Sequence, residues 1–129
     1  MCKHDSENER ILRSGCKLNL YLEITGHLPN GYHSLKTFML PLLPVEPPFD
    51  TLRIKHYWRN GLTPALNITS NAPYLDPLNN TLQKAYALYA AQAEAVPDLE
   101  IYLEKGIPNG AGLGGGSADA ATLLLFLES

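Results

Sequence analysis

The sequence predicts an α+β domain whose sheet is formed mostly before its helices. Three observations predict this class: apolar residues alternate with period two early in the chain, they recur at helical spacing later, and a glycine-rich turn leads into a second helical segment. With 129 residues, 45% hydrophobic and 18% charged, the composition is typical of one globular domain and excludes a disordered, fibrous or membrane-spanning chain.

Residues 1–15 are polar and of mixed charge, and they resemble neither a signal peptide nor an acid-poor transit peptide. We expect them to form a loose arm before a domain at 16–129. The two cysteines, Cys2 and Cys16, lack metal-ligand spacing, and a domain of this size needs no structural bridge. We therefore expect a reduced, cytoplasmic protein without a zinc site.

Ten basic and thirteen acidic side chains leave a formal net charge of −3. This balance provides no long-range attraction for nucleic acid or for an anionic membrane surface. We expect neither as a partner, and any phosphate that this chain binds must be held by local contacts.

The first regular element predicted is a β-hairpin. The stretch CKLNLYLEIT alternates apolar and polar residues as a half-buried strand does, which places Lys17 and Asn19 together on the face opposite the core. Asn30 and Gly31 favour a turn because this pair readily adopts positive φ, and a second apolar run follows at 35–43.

Three further strands are predicted after a proline-rich connection at 41–48, where each proline removes a backbone donor. Alternation resumes from Thr51 in TLRIKHYW, a shorter strand is expected at 66–70, and strand alternation returns at 99–103.

Two helices are predicted. The first follows Asn80, which suits a helix N-cap. From there apolar residues recur at steps of three and four, and Pro97 ends the predicted helix. A final helix is expected to begin near Ser117, and its residues 120–127 are apolar around the whole circumference, as is typical of a helix buried on every side. We expect a missing domain or self-association to cover it, in a chain that is the N-terminal part of a longer protein.

The segment between Pro108 and Ser117 holds five glycines within seven residues, a density that an ordinary turn does not need. Free N–H groups of this loop and of the next helix would converge on an anion, with the helix dipole assisting. The glycines alone leave a flexible linker or a tight strand-to-helix turn open. The consecutive order of strand, loop and helix favours a phosphate-binding loop.

Two common nucleotide motifs fit this loop poorly. A Walker A loop needs a lysine where Gly116 stands. A dinucleotide fingerprint fits loosely from Gly110 to Gly115, but its acidic residue would lie about 20 positions further on, beyond residue 129. For Asp119 we favour a favourable interaction with the helix dipole over catalysis.

Two separated motifs resemble one enzyme family. PNGAGLGGGSADAA resembles the nucleotide-binding motif of the GHMP small-molecule kinases, and CKLNLYLEITGHLPNGYHSL resembles the signature of the branch that acts on a cytidine diphosphate derivative of methylerythritol. The resemblance implies the family's N-terminal domain, a mixed or antiparallel sheet with helices on one side, truncated before the C-terminal domain. It implies ATP-dependent phosphorylation of that substrate's 2-hydroxyl, in the non-mevalonate isoprenoid pathway, with Mg²⁺.

The resemblance also implies site residues. Lys17 would be the catalytic lysine, and Asn19, Tyr32 and His33 would hold the small-molecule substrate, the last two by reading the cytosine. A lysine and an asparagine two apart on a strand point the same way, which suits phosphoryl charge and neutral polar groups respectively.

For the nucleotide, the resemblance implies that Asn80 and Lys105 line the adenine pocket and that Ser117 lies by the phosphates and magnesium. The implied phosphate loop consists of Pro108, Asn109, Gly110, Ala111, Gly112, Leu113, Gly114, Gly115, Gly116, Ser117 and Ala118.

Two other interpretations stay open: another kinase of the family, of homoserine or mevalonate type, and a non-catalytic phosphate-binding or protein-interaction module. Spacing alone favours a solvated Lys17 and a Tyr32-His33 pair that serves packing or lies on the surface. In the family, the aspartate that accepts the hydroxyl proton lies further past the glycine loop than this chain extends, so we assign no general base.

Overall fold

The computed structural model describes residues 8–58, 63–110 and 113–129. Within these ranges the chain forms six strands and two helices. In chain order they are β1 (Glu9–Ser14), β2 (Cys16–His27), β3 (His33–Leu42), β4 (Asp50–Tyr57), β5 (Leu66–Ser70), α1 (Thr81–Gln92), β6 (Asp98–Glu104) and α2 (Gly115–Glu128).

Four strands form one mixed sheet in the order β1-β4-β6-β5. β4 lies antiparallel to both of its neighbours, whereas β5 runs parallel to β6 at the sheet edge. β2 and β3 pair with each other in a separate antiparallel hairpin. The predicted α+β class with a mixed sheet is confirmed.

The core lies between the four-stranded sheet and the two helices. Strands β4 and β6 alternate buried and solvent-facing side chains, which is the pattern of a sheet with one wet face. The largest fully buried apolar side chains come from these strands and from one position in each helix: Leu52, Ile54, Leu82, Leu99, Ile101, Leu103 and Leu123.

The expectation of a loose arm is wrong for residues 9–14. These residues form β1, which pairs with β4 from Glu9 opposite Lys55 to Ser14 opposite Asp50. The segment ERILRS shows no period-two alternation, because its two apolar residues are adjacent. Pairing with a distant strand therefore determines its structure.

The predicted hairpin is present, but the described residues do not cover its apolar side chains. Those that we expected on the core face are between 37% and 60% exposed: Leu18, Leu20, Leu22 and Ile24. The register shifts twice, between Asn19 and Tyr21 and between Ile24 and Gly26, as β-bulges do. Only the first residue of β2, Cys16, belongs to the core.

Both predicted helices are present. Asn80 caps α1 as expected, and its side chain accepts a hydrogen bond from the Gln83 N–H at 2.9 Å. α2 begins at Gly115, two residues before the predicted start. Its Leu123 is fully buried whereas Leu125 is 73% exposed, so the helix is not covered on every side by the described residues. Among these residues, no helix combines the length and apolar content that crossing a bilayer requires.

Candidate functional site

The glycine-rich segment joins β6 to α2. Of its predicted members, Ala111 and Gly112 lie outside the described residues. Gly114 is the N-cap residue of α2 and has a φ of 70°, a left-handed conformation that glycine adopts without strain. No described side chain caps this helix, so its first N–H groups stay available for an anion.

Lys17 lies against this loop. Its backbone N–H donates to the Leu113 carbonyl at 2.8 Å, and a Cβ atom added at Gly114 would lie only 2.9 Å from Lys17 Cε. The missing side chain at Gly114 therefore gives the lysine stem its place. The structure thus brings the predicted catalytic lysine to the predicted phosphate loop, although the two are distant in sequence.

A cavity of about 240 Å³ opens at the loop and is lined by residues 107–110 and 113–117, with Thr81 and Lys105. Thr81 Oγ1 donates to the Gly116 carbonyl at 3.2 Å, which connects the N-terminus of α1 to that of α2. A cavity of about 600 Å³ on the outer face of the four-stranded sheet includes no glycine-loop residue, and one of about 1050 Å³ between the two helices includes only Ser117 of the loop. We therefore assign the site to the cavity of about 240 Å³, which the described loop residues line.

Three charged side chains meet where the loop leaves β6. Lys105 Nζ lies 2.6 Å from Asp50 Oδ2 and 3.0 Å from Asp119 Oδ2. Asp50 Oδ1 also accepts the backbone N–H groups of Gly106 at 2.8 Å and Ile107 at 2.9 Å. Both carboxylates are buried, so this ion triad holds the strand, the loop and the helix together.

The two carboxyl groups of the triad have opposite pKa shifts. Burial raises the pKa of Asp119 to about 7, and the neighbouring Asp50 adds to this because two carboxylates resist being charged together. Burial acts in the same direction on Asp50, but hydrogen bonds with Asp119, Lys105 and two backbone N–H groups outweigh it and hold the pKa of Asp50 below its usual value. Burial opposes the charge of Lys105, yet the two aspartates hold its pKa above the usual value.

The predicted adenine-pocket residues are both engaged within the protein. The Asn80 side chain caps α1 and donates from Nδ2 to the Asp76 carbonyl at 2.7 Å. The Lys105 ammonium is held by the two aspartates of the triad. Pro108, Asn109 and Gly110 are exposed in the loop. Nucleotide contacts at these positions stay predictions.

The remaining loop members occupy the start of α2. Gly115 is buried against Ile107, since an added Cβ would lie 3.1 Å from Ile107 Cγ2. The N–H of Ala118 donates to the Gly114 carbonyl at 3.0 Å, which closes the first helical turn. Ser117 is exposed and lines the cavity.

The predicted substrate residues lie along the hairpin. Asn19 Oδ1 accepts a hydrogen bond from Thr37 Oγ1 at 3.3 Å. Tyr32 is 71% exposed in the turn, and the His33 ring contacts the His27 ring edge-on, with centroids 4.4 Å apart. His27 stands ten residues after Lys17 on β2, so the structure does not bring Tyr32 and His33 to the glycine loop.

Asp50 was not identified from the sequence. For Asp119 the sequence predicted only a favourable interaction with the helix dipole. Asp50 follows a proline-rich connection and is 55 residues from Lys105, so nothing local relates the two. The one available signal was the pair of opposite charges, Lys105 and Asp119, on either side of the glycine loop.

The described residues contain no group of three or more His, Cys, Asp or Glu side chains placed to hold a metal ion. Mg²⁺ in phosphate-transfer sites keeps several waters and is held by substrate phosphates together with one or two protein carboxylates or a Ser or Thr hydroxyl of the phosphate loop. The exposed Ser117 hydroxyl in the cavity supplies an oxygen of this kind. The site thus fits a magnesium ion that arrives with a nucleotide.

The chain is similar in sequence to known kinases. Residues 80–129 match the family model of the GHMP kinases N terminal domain. Over 125 residues the chain is 43% identical to the 4-diphosphocytidyl-2-C-methyl-D-erythritol kinase of Lawsonia intracellularis (strain PHE/MN1-00), covering 97% of this chain and 39% of that protein.

Solved structures agree. A crystal structure of 4-(cytidine 5'-diphospho)-2C-methyl-D-erythritol kinase matches with a TM-score of 0.71 and 34% identity, over 92% of this chain and 40% of that one. The homoserine kinase of Cytophaga hutchinsonii ATCC 33406 matches with a TM-score of 0.58 at 16% identity, over 94% of this chain and 34% of that one, which shows a shared fold alone.

This chain spans about two fifths of the length of the kinases that it matches. The resemblance found in the two sequence motifs is confirmed by these relatives, and the mixed sheet with two helices is confirmed by the matched structures. The chain therefore has the fold of the N-terminal domain of the GHMP kinases.

Proposed function

We propose that this chain is the nucleotide-binding part of an ATP-dependent kinase that phosphorylates the 2-hydroxyl of 4-diphosphocytidyl-2-C-methyl-D-erythritol. The observation that carries the proposal is the packing of the Lys17 stem on Gly114, at the open N-terminus of α2. A cationic side chain lies there next to uncapped helix N–H groups, a combination that suits a polyphosphate. The substrate is inferred from the names of the matched kinases.

In the proposed reaction, the substrate hydroxyl oxygen attacks the γ-phosphorus of ATP in line, and the bond from that phosphorus to the bridging oxygen breaks, so ADP leaves. The hydroxyl proton passes to a base that is not among the described residues. The N–H groups at the start of α2 hold the phosphates in place. The Lys17 ammonium stabilises the negative charge on the phosphoryl group during transfer. Mg²⁺, held by the phosphates and Ser117, would supply charge neutralisation when bound.

The hairpin would hold the other end of an elongated substrate. The Asn19 amide suits neutral hydroxyl groups, and Tyr32 and His33 offer ring faces and ring nitrogens to a pyrimidine. Among the described residues we assign no general base, because Asp119 is buried and bound to Lys105. The free thiol of Cys16 suits the reducing cytoplasm, which we propose as the location.

Ligand binding tests this proposal. By calorimetry we expect the purified protein to bind Mg·ATP and cytidine diphosphate, and to bind neither homoserine nor mevalonate. His33→Ala should remove the binding of cytidine diphosphate and keep that of ATP. A melting temperature that neither Mg·ATP nor cytidine diphosphate raises would contradict the proposal and favour a non-catalytic module. Binding of homoserine or mevalonate would favour another kinase of the family.

A second test measures the effect of Lys17 on catalysis. Removing one group that stabilises transition-state charge typically lowers kcat by about 100-fold or more, so Lys17→Ala should lower phosphoryl transfer by that order. Lys36→Ala is the matched control, since Lys36 is an exposed lysine on β3 of the same hairpin. If the wild-type protein transfers phosphate and both variants keep its activity, Lys17 is removed from the mechanism.

A further inference from the structure

Asp50 makes three hydrogen bonds to the residues that begin the glycine-rich loop. Its Oδ1 accepts from the N–H of Gly106 and of Ile107, and its Oδ2 accepts from Lys105 Nζ at 2.6 Å. A carboxylate that accepts from three consecutive residues determines the direction in which the chain leaves β6.

The backbones at this point are also in direct contact. A Cβ added at Gly106 would lie 2.2 Å from the Phe49 carbonyl oxygen, so only glycine fits against the residue before Asp50. The start of the loop therefore lies against Phe49 and Asp50, where backbone packing and the Asp50 charge both fix its position.

The same contacts extend to α2. Lys105 Nζ also bonds Asp119 Oδ2 at 3.0 Å, and Ile107 packs on Gly115. At the far side of the loop, the Lys17 N–H holds the Leu113 carbonyl. Both ends of the loop are thus fixed on either side of the cavity. At the β6 end the Asp50 carboxylate holds Gly106 and Ile107, while the Asn71 Oδ1 accepts only the Lys105 N–H at 2.8 Å.

We propose that Asp50 is a positioning residue for the nucleotide: its buried carboxylate fixes the start of the glycine-rich loop and, through Lys105 and Asp119, the N-terminal part of α2, so that the described residues on both sides of the cavity are preformed for phosphate. This inference rests on the proposed function. Asp50 is fully buried and is not among the residues that line the cavity, so it acts through the loop and does not touch the ligand.

Two substitutions and one control test the inference. Asp50→Ala removes all three acceptor contacts, whereas Asp50→Asn keeps a carbonyl oxygen for the two N–H groups and loses the charge opposite Lys105. Ser14→Ala is the control, because Ser14 is a buried polar residue opposite Asp50 in the β1–β4 register, and its hydroxyl has no hydrogen-bond partner among the described residues.

Three quantities are measured well below each variant's melting temperature: the Kd for Mg·ATP, the Kd for cytidine diphosphate, and hydrogen exchange of the Gly106 and Ile107 amides. We expect the ATP Kd to rise about tenfold in Asp50→Ala and about threefold in Asp50→Asn, given the usual cost of a buried donor left unpaired. The two amides should exchange at least about tenfold faster in Asp50→Ala. Cytidine diphosphate binding at the hairpin should be unchanged, as should all three quantities in Ser14→Ala.

The outcomes separate a positioning role from a purely stabilising one. A lower melting temperature with an ATP Kd within twofold of wild type would overturn the inference and leave the proposed function intact. An ATP Kd in Asp50→Asn within twofold of wild type would overturn it even if Asp50→Ala does not fold. A wild-type protein that binds no ATP would overturn the proposed function together with the inference.

Discussion

The four-stranded sheet and the β2–β3 hairpin have similar sequence patterns and opposite environments. In the sheet, Leu52 and Ile101 are at most 2% exposed, whereas Leu22 and Ile24 of the hairpin are 58% and 60% exposed. β4 and β6 each have two neighbouring strands and pack under the helices, while β2 and β3 have only each other among the described residues. Alternation therefore tells which residues share a face, and tertiary packing decides whether that face is buried.

This difference in burial corresponds to different roles that we assign to the two regions. The sheet and helices hold the loop through buried groups such as Asp50, and the hairpin presents exposed polar side chains that we assign to the phosphate acceptor. The two regions meet where the Lys17 N–H bonds the Leu113 carbonyl and the lysine stem lies against Gly114. Substitutions in the two regions should accordingly affect different properties.

The largest difference in the free energy of unfolding is expected between two Leu→Ala substitutions, one in the sheet and one in the hairpin. Leu52→Ala should lower the free energy of unfolding by about 2–5 kcal/mol, because it leaves a cavity in the core. Leu22→Ala, a matched change on the exposed hairpin, should alter it by less than about 0.5 kcal/mol. Urea denaturation measures both values, and a similar loss in the two variants would mean that the hairpin is packed like the core.

The second prediction concerns acid stability of the sheet region. Since the pKa of Asp50 is lower in the folded protein than its ordinary value of 3.8, its ionised form stabilises the fold above that pH, and this contribution is lost as the pH falls through the folded pKa. At pH 7, Asp50→Asn should be less stable than wild type by about 1–3 kcal/mol.

This difference between wild type and Asp50→Asn should shrink as the pH drops below about 4. Chemical denaturation at a series of pH values measures it. Asp76→Asn serves as the control, because Asp76 is exposed and lies outside the triad. A difference that stays constant down to pH 2 would show that Asp50 does not contribute through its charge.

The smallest stability effect is expected where the two regions meet. Gly114 and Gly31 have φ values of 70° and 85°, so alanine at either position should cost about 1–2 kcal/mol of backbone strain. Only Gly114→Ala also meets Lys17, whereas an added Cβ at Gly31 meets nothing within 4 Å. We therefore expect similar losses in melting temperature, with weaker ATP binding in Gly114→Ala alone. Equal ATP affinity in both variants would show that the contact with Lys17 is irrelevant to the nucleotide.

Features that depend on neighbouring residues could be predicted from the sequence. The cap at Asn80 and the strand at 66–70 were predicted at the positions where the structure has them. Both depend on interactions within a few residues, either a side chain that accepts a nearby N–H or a short alternating run between prolines. The glycine-rich loop was recognisable for the same reason.

Features that depend on distant residues could not be predicted. β1 became a strand through pairing with β4, and the ion triad joins Asp50 to Lys105 across 55 residues. No local sequence pattern predicts the charge or the position of a distant partner residue, because desolvation and ion pairing act only once the chain has folded.

The sequence by itself thus determined the α+β class, the order of the elements from β2 onward, and a loop whose glycines suit phosphate. Only the tertiary structure decided that Lys17 lies on Gly114, that the predicted core face of β2 is exposed, and that a buried carboxylate holds the loop in place. The physical reason is range: backbone propensities act over a few residues, whereas burial and charge pairing depend on which distant elements come into contact.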